Sequence, residues 1–264
     1  EGCGVCESAK MRRRAFTLQT AAVRDATPPP TGKKWIVDTL ALRVPTAHHG
    51  YGHVFLAVNV TEHAGKHWVC GMLGLATEDY KVALGKLEAF VRPTHGEIWI
   101  VRADSHGTHK SLAIGDFYGA KSTSLQLSPG GVHEGVHSAE NTFMLDVPTA
   151  MAQLLASPDL GEAHFYSSFA HAVMSRDYIA TIGTEPLSSP MMRYMGSTDW
   201  LASPLYAYGS AGKALVHPEF RDSKYEEHAF PCVYTGPAHF SSHVAHCSVW
   251  DGDCLLYTSP SPRD

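Results

Sequence analysis

The order of the apolar segments over residues 35–128 constrains the fold of this chain most strongly. Three apolar and partly β-branched runs come first, at residues 35–42, 53–60 and 67–73. Runs of this length and composition predict buried strands. The short polar connection at residues 62–66 predicts a turn, so the opening of the fold is expected to be antiparallel.

Helical and strand patterns alternate after this opening. The later elements are predicted as helices at 77–92, 110–121, about 136–156 and 162–182, and as strands at 97–104 and 123–128. Thr77 is the predicted N-cap of the first helix, whose apolar stripe includes Val82. Trp35, Trp68 and Trp99 are expected in the core. This order predicts an α/β fold, with a mixed five-stranded sheet flanked by helices and an irregular β-rich C-terminal region.

Composition narrows the class of protein. The 264 residues are 44% hydrophobic and 18% charged, which is typical of a globular protein. No apolar run approaches the ~18 residues of a membrane span, so we expect no membrane partner. Six cysteines are too few for a disulfide scaffold in a chain of this size, which favours a reducing, intracellular compartment.

Charge is spread unevenly along the chain. Residues 1–37 hold seven Lys and Arg against three Asp and Glu, a net charge of +4, whereas the remaining residues carry −9. A basic arm on an acidic body is suited to contact a polyanion through the arm alone. The residues predicted to contact phosphates are Lys10, Arg12, Arg13, Arg14, Lys33 and Lys34.

Three carboxylates fall where two-metal phosphoryl transfer needs them. Asp38 lies in the first predicted strand, Asp104 ends the strand after the first helix, and Glu140 lies near the start of a later helix. Carboxylates are the oxygen ligands that Mg²⁺ prefers, and two such ions can activate the attacking oxygen and stabilise the leaving one. The alternative is that both aspartates merely end strands and Glu140 is a solvated helix residue.

Three motifs carry a resemblance to a known family. They are WIVDTLAL at 35–42, IVRADSHGTHKS at 100–111 and SPGGVHEGVHSAEN at 128–141. Together they resemble the catalytic core of retroelement integrases of the Copia type, members of the DDE or retroviral integrase superfamily. The 35 residues between Asp104 and Glu140 match that family's D-35-E spacing. Weaker matches to the stretch after the family's core lie at residues 204–210 and 228–236.

The resemblance implies a fold and an activity. It implies a ribonuclease-H-like core in which Asp38, Asp104 and Glu140 hold two Mg²⁺ or Mn²⁺ ions. It implies 3′-end processing of element DNA and its transfer into target DNA, by a homo-multimer in the nucleus. Cys3 and Cys6 resemble the second half of the family's zinc module, whose His pair would lie upstream of this fragment.

The resemblance also suggests domain boundaries. Residues 1–14 are expected to be the remnant of the zinc module, 15–32 a linker, 33–182 the catalytic core and 183–253 a C-terminal extension. Residues 254–264 look like translated sequencing-adapter sequence and are left out of the fold prediction. The chain begins with Glu rather than Met, so we expect it to be a fragment.

Two alternative functions follow, one from differences between this sequence and the integrase pattern, the other from a motif of a different enzyme class. Asn141 stands where the family usually has a basic residue, and the Gly-Val-x-Glu pattern is stretched, which favours an inactive nucleic-acid-binding module as one alternative. His133, Glu134 and His137 match the H-E-x-x-H signature of zinc proteases, although Gly135 disfavours a stable helix there. The histidines expected near the proposed site are His48, His49, His106 and His109.

Overall fold

The described part of the chain covers the predicted core almost continuously. In a computed structural model, the described residues are 30–46, 49–61, 65–104, 108–128, 137–157, 159–179, 188–196, 206–215, 229–237, 245–251 and 254–258. Within these ranges, two sheets and five α-helices form the fold.

A five-stranded mixed sheet is the centre of the fold. Its strands are β1 (Lys34–Ala41), β2 (His53–Asn59), β3 (His67–Met72), β4 (Ile100–Ala103) and β5 (Ser124–Leu127), in the order β3-β2-β1-β4-β5. The first three strands pair antiparallel, whereas β4 and β5 run parallel to β1. The predicted α/β architecture with a mixed five-stranded sheet is confirmed.

Helices cover both faces of this sheet. They are α1 (Thr77–His95), α2 (Leu112–Gly119), α3 (His137–Leu155), α4 (Phe165–Tyr178) and the short α5 (Pro190–Met195). Side chains alternate along β1, so Trp35 and Val37 pack with the α1 and α2 side chains while Ile36 packs with those of α3 and α4. Two apolar cores, one on each face, therefore hold the central strand in place.

Three details of the first helical layer differ from the sequence prediction. The N-cap of α1 is Ala76, which makes no side-chain capping bond, and not Thr77. Val82 is 58% exposed and Trp99 is 48% exposed, so neither belongs to the core. Trp99 directly precedes β4, and its ring centroid lies 5.0 Å from Lys33 Nζ, within cation–π distance.

A second sheet follows the helices. It is antiparallel and comprises β6 (Ala211–Leu215), β7 (Ala229–Pro237), β8 (Ala245–Asp251) and β9 (Cys254–Thr258), in sequence order. The C-terminal region is therefore β-rich, as the sequence predicted, and it is regular in the strands described. Five residues of the segment that we left out of the prediction, Cys254–Thr258, pair with β8.

His171 on α4 connects this region to the core. Its Nε2 donates to the carbonyl oxygen of Tyr206 at 3.0 Å, which leaves Nδ1 to accept from Gln153 Nε2 at 3.1 Å. The bond that Nδ1 accepts requires the neutral ring, and burial, which lowers the pKa of His171, favours that form. Tyr208 adds a hydrogen bond to Ser167, with 2.7 Å between the hydroxyl oxygens. The segment before β6 is thus held on α4 by polar contacts.

A buried ionic cluster connects α4 to β3. Asp177 is fully buried, and its carboxylate accepts from Lys66 Nζ at 2.6 Å and lies 2.6 Å from His67 Nδ1. Burial acts to raise the pKa of Asp177, yet Lys66 and His67 hold it below the ordinary value. The carboxylate is therefore ionised beside two buried partners.

Among the described helices, none has the length and apolar character needed to cross a membrane.

Candidate active site

Asp38 lies in the middle of the central strand, on the face that α3 covers. It sits between Val37 and Thr39, so its side chain shares the face of Ile36, which packs in the α3 and α4 core. The backbone N–H of Thr39 donates to Asp38 Oδ1 at 2.7 Å. This bond fixes the orientation of the carboxylate.

The parallel pairing of β1 and β4 brings Asp104 to the same region. Lys34, Trp35 and Ile36 pair with Ile100, Val101 and Arg102 in turn. Continued by two residues, this register sets Asp38 beside Asp104, which directly follows the last residue of β4. The side chain of Asp104 is 48% exposed, so one side of the site is open to solvent.

Glu140 reaches the site from the helical layer. It lies in the first turn of α3, as the sequence predicted, and its neighbour Ala139 is completely buried against the sheet. The charge of Glu140 acts on Asp38, and so does the charge of Asp104. Asp104 and Glu140, the other two carboxylates named by the sequence, therefore both lie close enough to influence Asp38.

The pKa of Asp38 is raised by burial and by its charged neighbours. Burial raises its pKa from 3.8 to about 6, the Thr39 N–H acts to lower it, and the charges of Asp104 and Glu140 add to the rise. A carboxyl group whose pKa is raised by burial and by neighbouring charges is typical of functional sites.

Two hydroxyl groups and a histidine lie beside the aspartates. Tyr80 OH and Thr39 Oγ1 are 3.2 Å apart, and the Tyr80 ring meets the His109 ring edge-on at 4.7 Å between centroids. His109 is 3% exposed, and its Nε2 lies 3.9 Å from Asp104 Oδ1. Burial raises the pKa of Tyr80, with Asp104 and Asp38 adding to the rise, so its hydroxyl remains protonated.

Replacing Asp38 with asparagine is expected to stabilise the protein in the presence of a chelator. The folded state keeps the Asp38 proton between pH 3.8 and about 6, whereas the unfolded state releases it near 3.8, so wild-type stability falls across this window. Asparagine has no charge to bury and can still accept from the Thr39 N–H. We expect a gain of about 2 kcal/mol at pH 7.5.

Thermal unfolding at several pH values measures this effect. The gain should disappear below about pH 4, and replacing the exposed Asp116 with asparagine should produce no such gain. A lower melting temperature for Asp38→Asn at pH 7.5, or a gain that does not depend on pH, would contradict the assigned environment of Asp38.

The donor set of the site is open rather than a closed cage of ligands. Within the described ranges, no group of three or more His, Cys, Asp or Glu side chains is arranged to hold a metal ion. The carboxylates interact electrostatically without forming a closed cage. Mg²⁺ is usually held by one or two carboxylates together with waters and substrate phosphates, so an open carboxylate set suits it. The buried negative charge at Asp38 is one that a divalent cation would neutralise.

Lys33 and Lys34, the two described lysines among those predicted to contact phosphate, lie away from the carboxylates. Lys34 begins β1, four residues and about 13 Å from Asp38, at the end of the strand opposite Asp104. Lys33 Nζ donates to the carbonyl oxygens of His95, at 2.6 Å, and Glu97, at 3.0 Å. These bonds satisfy carbonyls at and just after the end of α1. Lys33 therefore has a structural role in addition to the predicted phosphate contact.

Several sequence-predicted residues lie outside the described residues. They are Cys3, Cys6, Lys10, Arg12, Arg13, Arg14, His48, His106, His133 and Glu134. His137 is the first residue of α3. His49 lies against Tyr51, with 5.0 Å between ring centroids.

Tyr80 and Thr39 are the site residues that the sequence analysis did not single out. Thr39 adjoins Asp38 in β1, and Tyr80 lies on the buried face of α1 in its first turn. From sequence alone, Tyr80 is therefore predicted only as a core residue. Only the tertiary contact between its hydroxyl and Thr39 marks it as part of the site.

No protein-family model and no curated protein sequence matches the chain.

Proposed function

We propose that this chain is a fragment of a retrotransposon integrase that cuts and joins DNA, with Asp38, Asp104 and Glu140 as its catalytic carboxylates. The observation that carries the proposal is geometric: the β1–β4 register sets Asp38 beside Asp104, and the first turn of α3 carries Glu140, with both neighbouring charges adding to the rise in the pKa of Asp38. The strand order, with an antiparallel opening and two parallel strands beyond β1, is compatible with a ribonuclease-H-like core. The 35 residues between Asp104 and Glu140 also match the D-35-E spacing of integrases, which supports the same assignment.

The cofactor we propose is a pair of Mg²⁺ or Mn²⁺ ions. Asp38, Asp104 and Glu140 would hold them, because these carboxylates supply hard oxygen donors in one region. Such a pair, when bound, supplies activation of the attacking oxygen and stabilisation of the leaving oxygen at phosphorus.

The chain's own residues provide orientation and access. The Thr39 N–H fixes the Asp38 carboxylate, and the packing of Ala139 against the sheet holds Glu140 on a rigid helix. The exposed side of Asp104 leaves the site open to solvent, and a DNA strand would approach from that side. The protonated Tyr80 hydroxyl, beside Thr39, can donate a hydrogen bond near the aspartates.

The remaining parts of the proposal concern partners. DNA would be the substrate, with Lys10, Arg12, Arg13, Arg14, Lys33 and Lys34 contacting its phosphates without reading sequence. Cys3 and Cys6 would ligate Zn²⁺ in the intact N-terminal module. The enzyme would act in the nucleus as a multimer, because two element ends must be joined to one target.

A paired substitution tests the proposal against the zinc-protease alternative. In the integrase reading, Glu140→Gln is expected to abolish Mn²⁺-dependent DNA cleavage, and Glu134→Gln should retain it. In a protease of the H-E-x-x-H type, Glu134 is the general base, so the dependence would be reversed and the activity would be hydrolysis of peptides with Zn²⁺.

The assay uses the full chain with a labelled DNA duplex in Mn²⁺ and a labelled peptide in Zn²⁺. DNA cleavage that depends on Glu140 supports the proposal. Peptide hydrolysis that depends on Glu134, or the absence of DNA cleavage by a folded chain, overturns it.

A further inference from the structure

His109 is a buried neighbour of the half-exposed Asp104 carboxylate. The histidine is 3% exposed, whereas the side chain of Asp104 is 48% exposed. His109 Nε2 is 3.9 Å from Asp104 Oδ1. A ring nitrogen that faces a carboxylate oxygen is expected to carry a hydrogen, because a lone pair at that position would be repelled by the negative charge. His109 therefore presents an N–H dipole to one of the two oxygens of Asp104.

The backbone on either side of His109 is attached to two helices. Thr108 Oγ1 donates to the carbonyl oxygen of Leu75 at 3.1 Å, just before α1 begins. The Ser111 N–H donates to the carbonyl oxygen of Thr108 at 3.1 Å, and the Ser111 side chain caps α2 by accepting from the Ile114 N–H. The imidazole is therefore carried by a turn whose position is fixed relative to α1 and α2.

Tyr80 holds the ring of His109 and connects it to the surroundings of Asp38. The Tyr80 side chain is 1% exposed and meets the imidazole edge-on, with 4.7 Å between centroids and 76° between ring planes. The Tyr80 hydroxyl is 3.2 Å from Thr39 Oγ1, and the Thr39 N–H donates to Asp38 Oδ1. One continuous set of contacts therefore supports both aspartates.

We propose that His109 is a positioning residue whose Nε2–H sets the orientation of the Asp104 carboxylate for a divalent cation. The distance of 3.9 Å is longer than a hydrogen bond, so the interaction acts between the N–H dipole and the carboxylate charge. It favours the rotamer in which Oδ1 faces the imidazole, and it leaves Oδ2 as the oxygen available to the cation. The inference rests on the proposed function, because it assigns a role in the same metal site.

The chemistry of histidine favours positioning over packing as the role of this residue. An aliphatic side chain could fill the space beside Tyr80 without burying two polar nitrogen atoms, and burial of polar atoms costs free energy. The carboxylate that Nε2 faces gives a reason for an imidazole at this position. Polar partners of this kind commonly orient the side chains that bind a metal ion.

Two amide substitutions separate the contribution of Nε2 from the volume of the ring. The amide nitrogen of glutamine lies as far along the side chain as Nε2 of histidine, whereas that of asparagine corresponds to Nδ1. His109→Gln should therefore keep the contact with Asp104, and His109→Asn should lose it, as should His109→Ala. We expect the Asn and Ala variants to bind Mn²⁺ at least about tenfold more weakly than the wild type, while the Gln variant stays close to it.

Electron paramagnetic resonance of free Mn²⁺ measures these affinities on the full chain, without any reaction. The matched control is His171→Ala, because His171 is 5% exposed and its ring also meets a tyrosine edge-on, Tyr234 at 5.8 Å. Its partner Gln153 lies about 20 Å along α3 from Glu140, far from the carboxylates. This variant should bind Mn²⁺ like the wild type at a temperature at which all the variants are folded.

The order of the affinities decides the inference. An affinity that is lost in His109→Asn and kept in His109→Gln supports positioning by Nε2. Equal affinities of these two variants, whether both weak or both like the wild type, or the reverse order, overturn the inference, because Nε2 then has no role of its own. A wild-type chain that binds no Mn²⁺ overturns the proposed metal site, and the inference with it, so the two failures are distinguishable.

Discussion

Replacing Asp104 with asparagine is expected to abolish metal-dependent DNA strand transfer without unfolding the core. Asp104 lies beside Asp38 just beyond β4, and its exposed side chain contributes little to the packing of the core. Asparagine keeps the shape and removes the charge that a divalent cation needs. We expect the rate to fall by at least about a hundredfold, as when an electrostatic group at a reaction centre is removed.

The matched control is Asp116→Asn, which removes an exposed carboxylate from α2. It should leave both the rate and the melting temperature unchanged. Strand transfer by Asp104→Asn at a wild-type rate would show that the reaction does not use this site. Loss of the folded state in Asp104→Asn would show that the carboxylate has a structural role.

The largest expected loss of stability comes from replacing Asp177 with asparagine. This carboxylate is fully buried between Lys66 and His67, and Lys66 itself is 4% exposed. Without Asp177, the ammonium group would remain buried with no ionic partner from α4. Breaking a buried pair from one side typically costs about 3–5 kcal/mol. For a chain of this size, the melting temperature should fall by about 10 °C.

The pH dependence of this loss identifies its cause. The pKa of Asp177 is held below 3.8 in the folded protein, so its contribution is present above 3.8 and is lost as pH falls through the lower folded value. The difference between wild type and variant should therefore shrink only in strong acid. Asp159→Asn, at an exposed position, should cost less than about 0.5 kcal/mol. An equal cost for both variants would contradict the ionic account.

The sheet was predictable because its strands have strong local signals. The runs at 35–42, 53–60 and 67–73 match β1 to β3 within one residue at each end. Their β-branched and aromatic residues fit a doubly covered sheet, and the turn at 62–66 left little freedom in the pairing of β2 and β3. The same information placed Asp38 in a central strand.

The exposed residues were harder to predict, because exposure depends on neighbours distant in sequence. Trp99 is apolar and precedes a strand, yet the contact that matters is with Lys33, 66 residues earlier. Val82 follows the helical period only approximately, and no element covers its side of α1 among the described residues. Periodicity gives the buried face of a helix but not the width of that face.

The candidate site was only partly accessible from sequence. Spacing and motif selected Asp38, Asp104 and Glu140, but the register of β1 against β4 was needed to place the two aspartates side by side. His109 was one of four histidines expected near the site, and its contacts with Asp104 and Tyr80 are tertiary contacts that the sequence pattern does not specify. The pairing of Tyr80 with Thr39 had no local signal.

Binding of Mn²⁺ to the chelator-treated chain is the most direct test of the metal site. A thermal-shift titration should raise the melting temperature of the wild type and of Asp116→Asn, with about 2.7 kcal/mol of added stability at a hundred times the dissociation constant. Asp104→Asn should show no such rise. An equal rise in Asp104→Asn, or none in the wild type, would contradict metal binding by Asp38, Asp104 and Glu140.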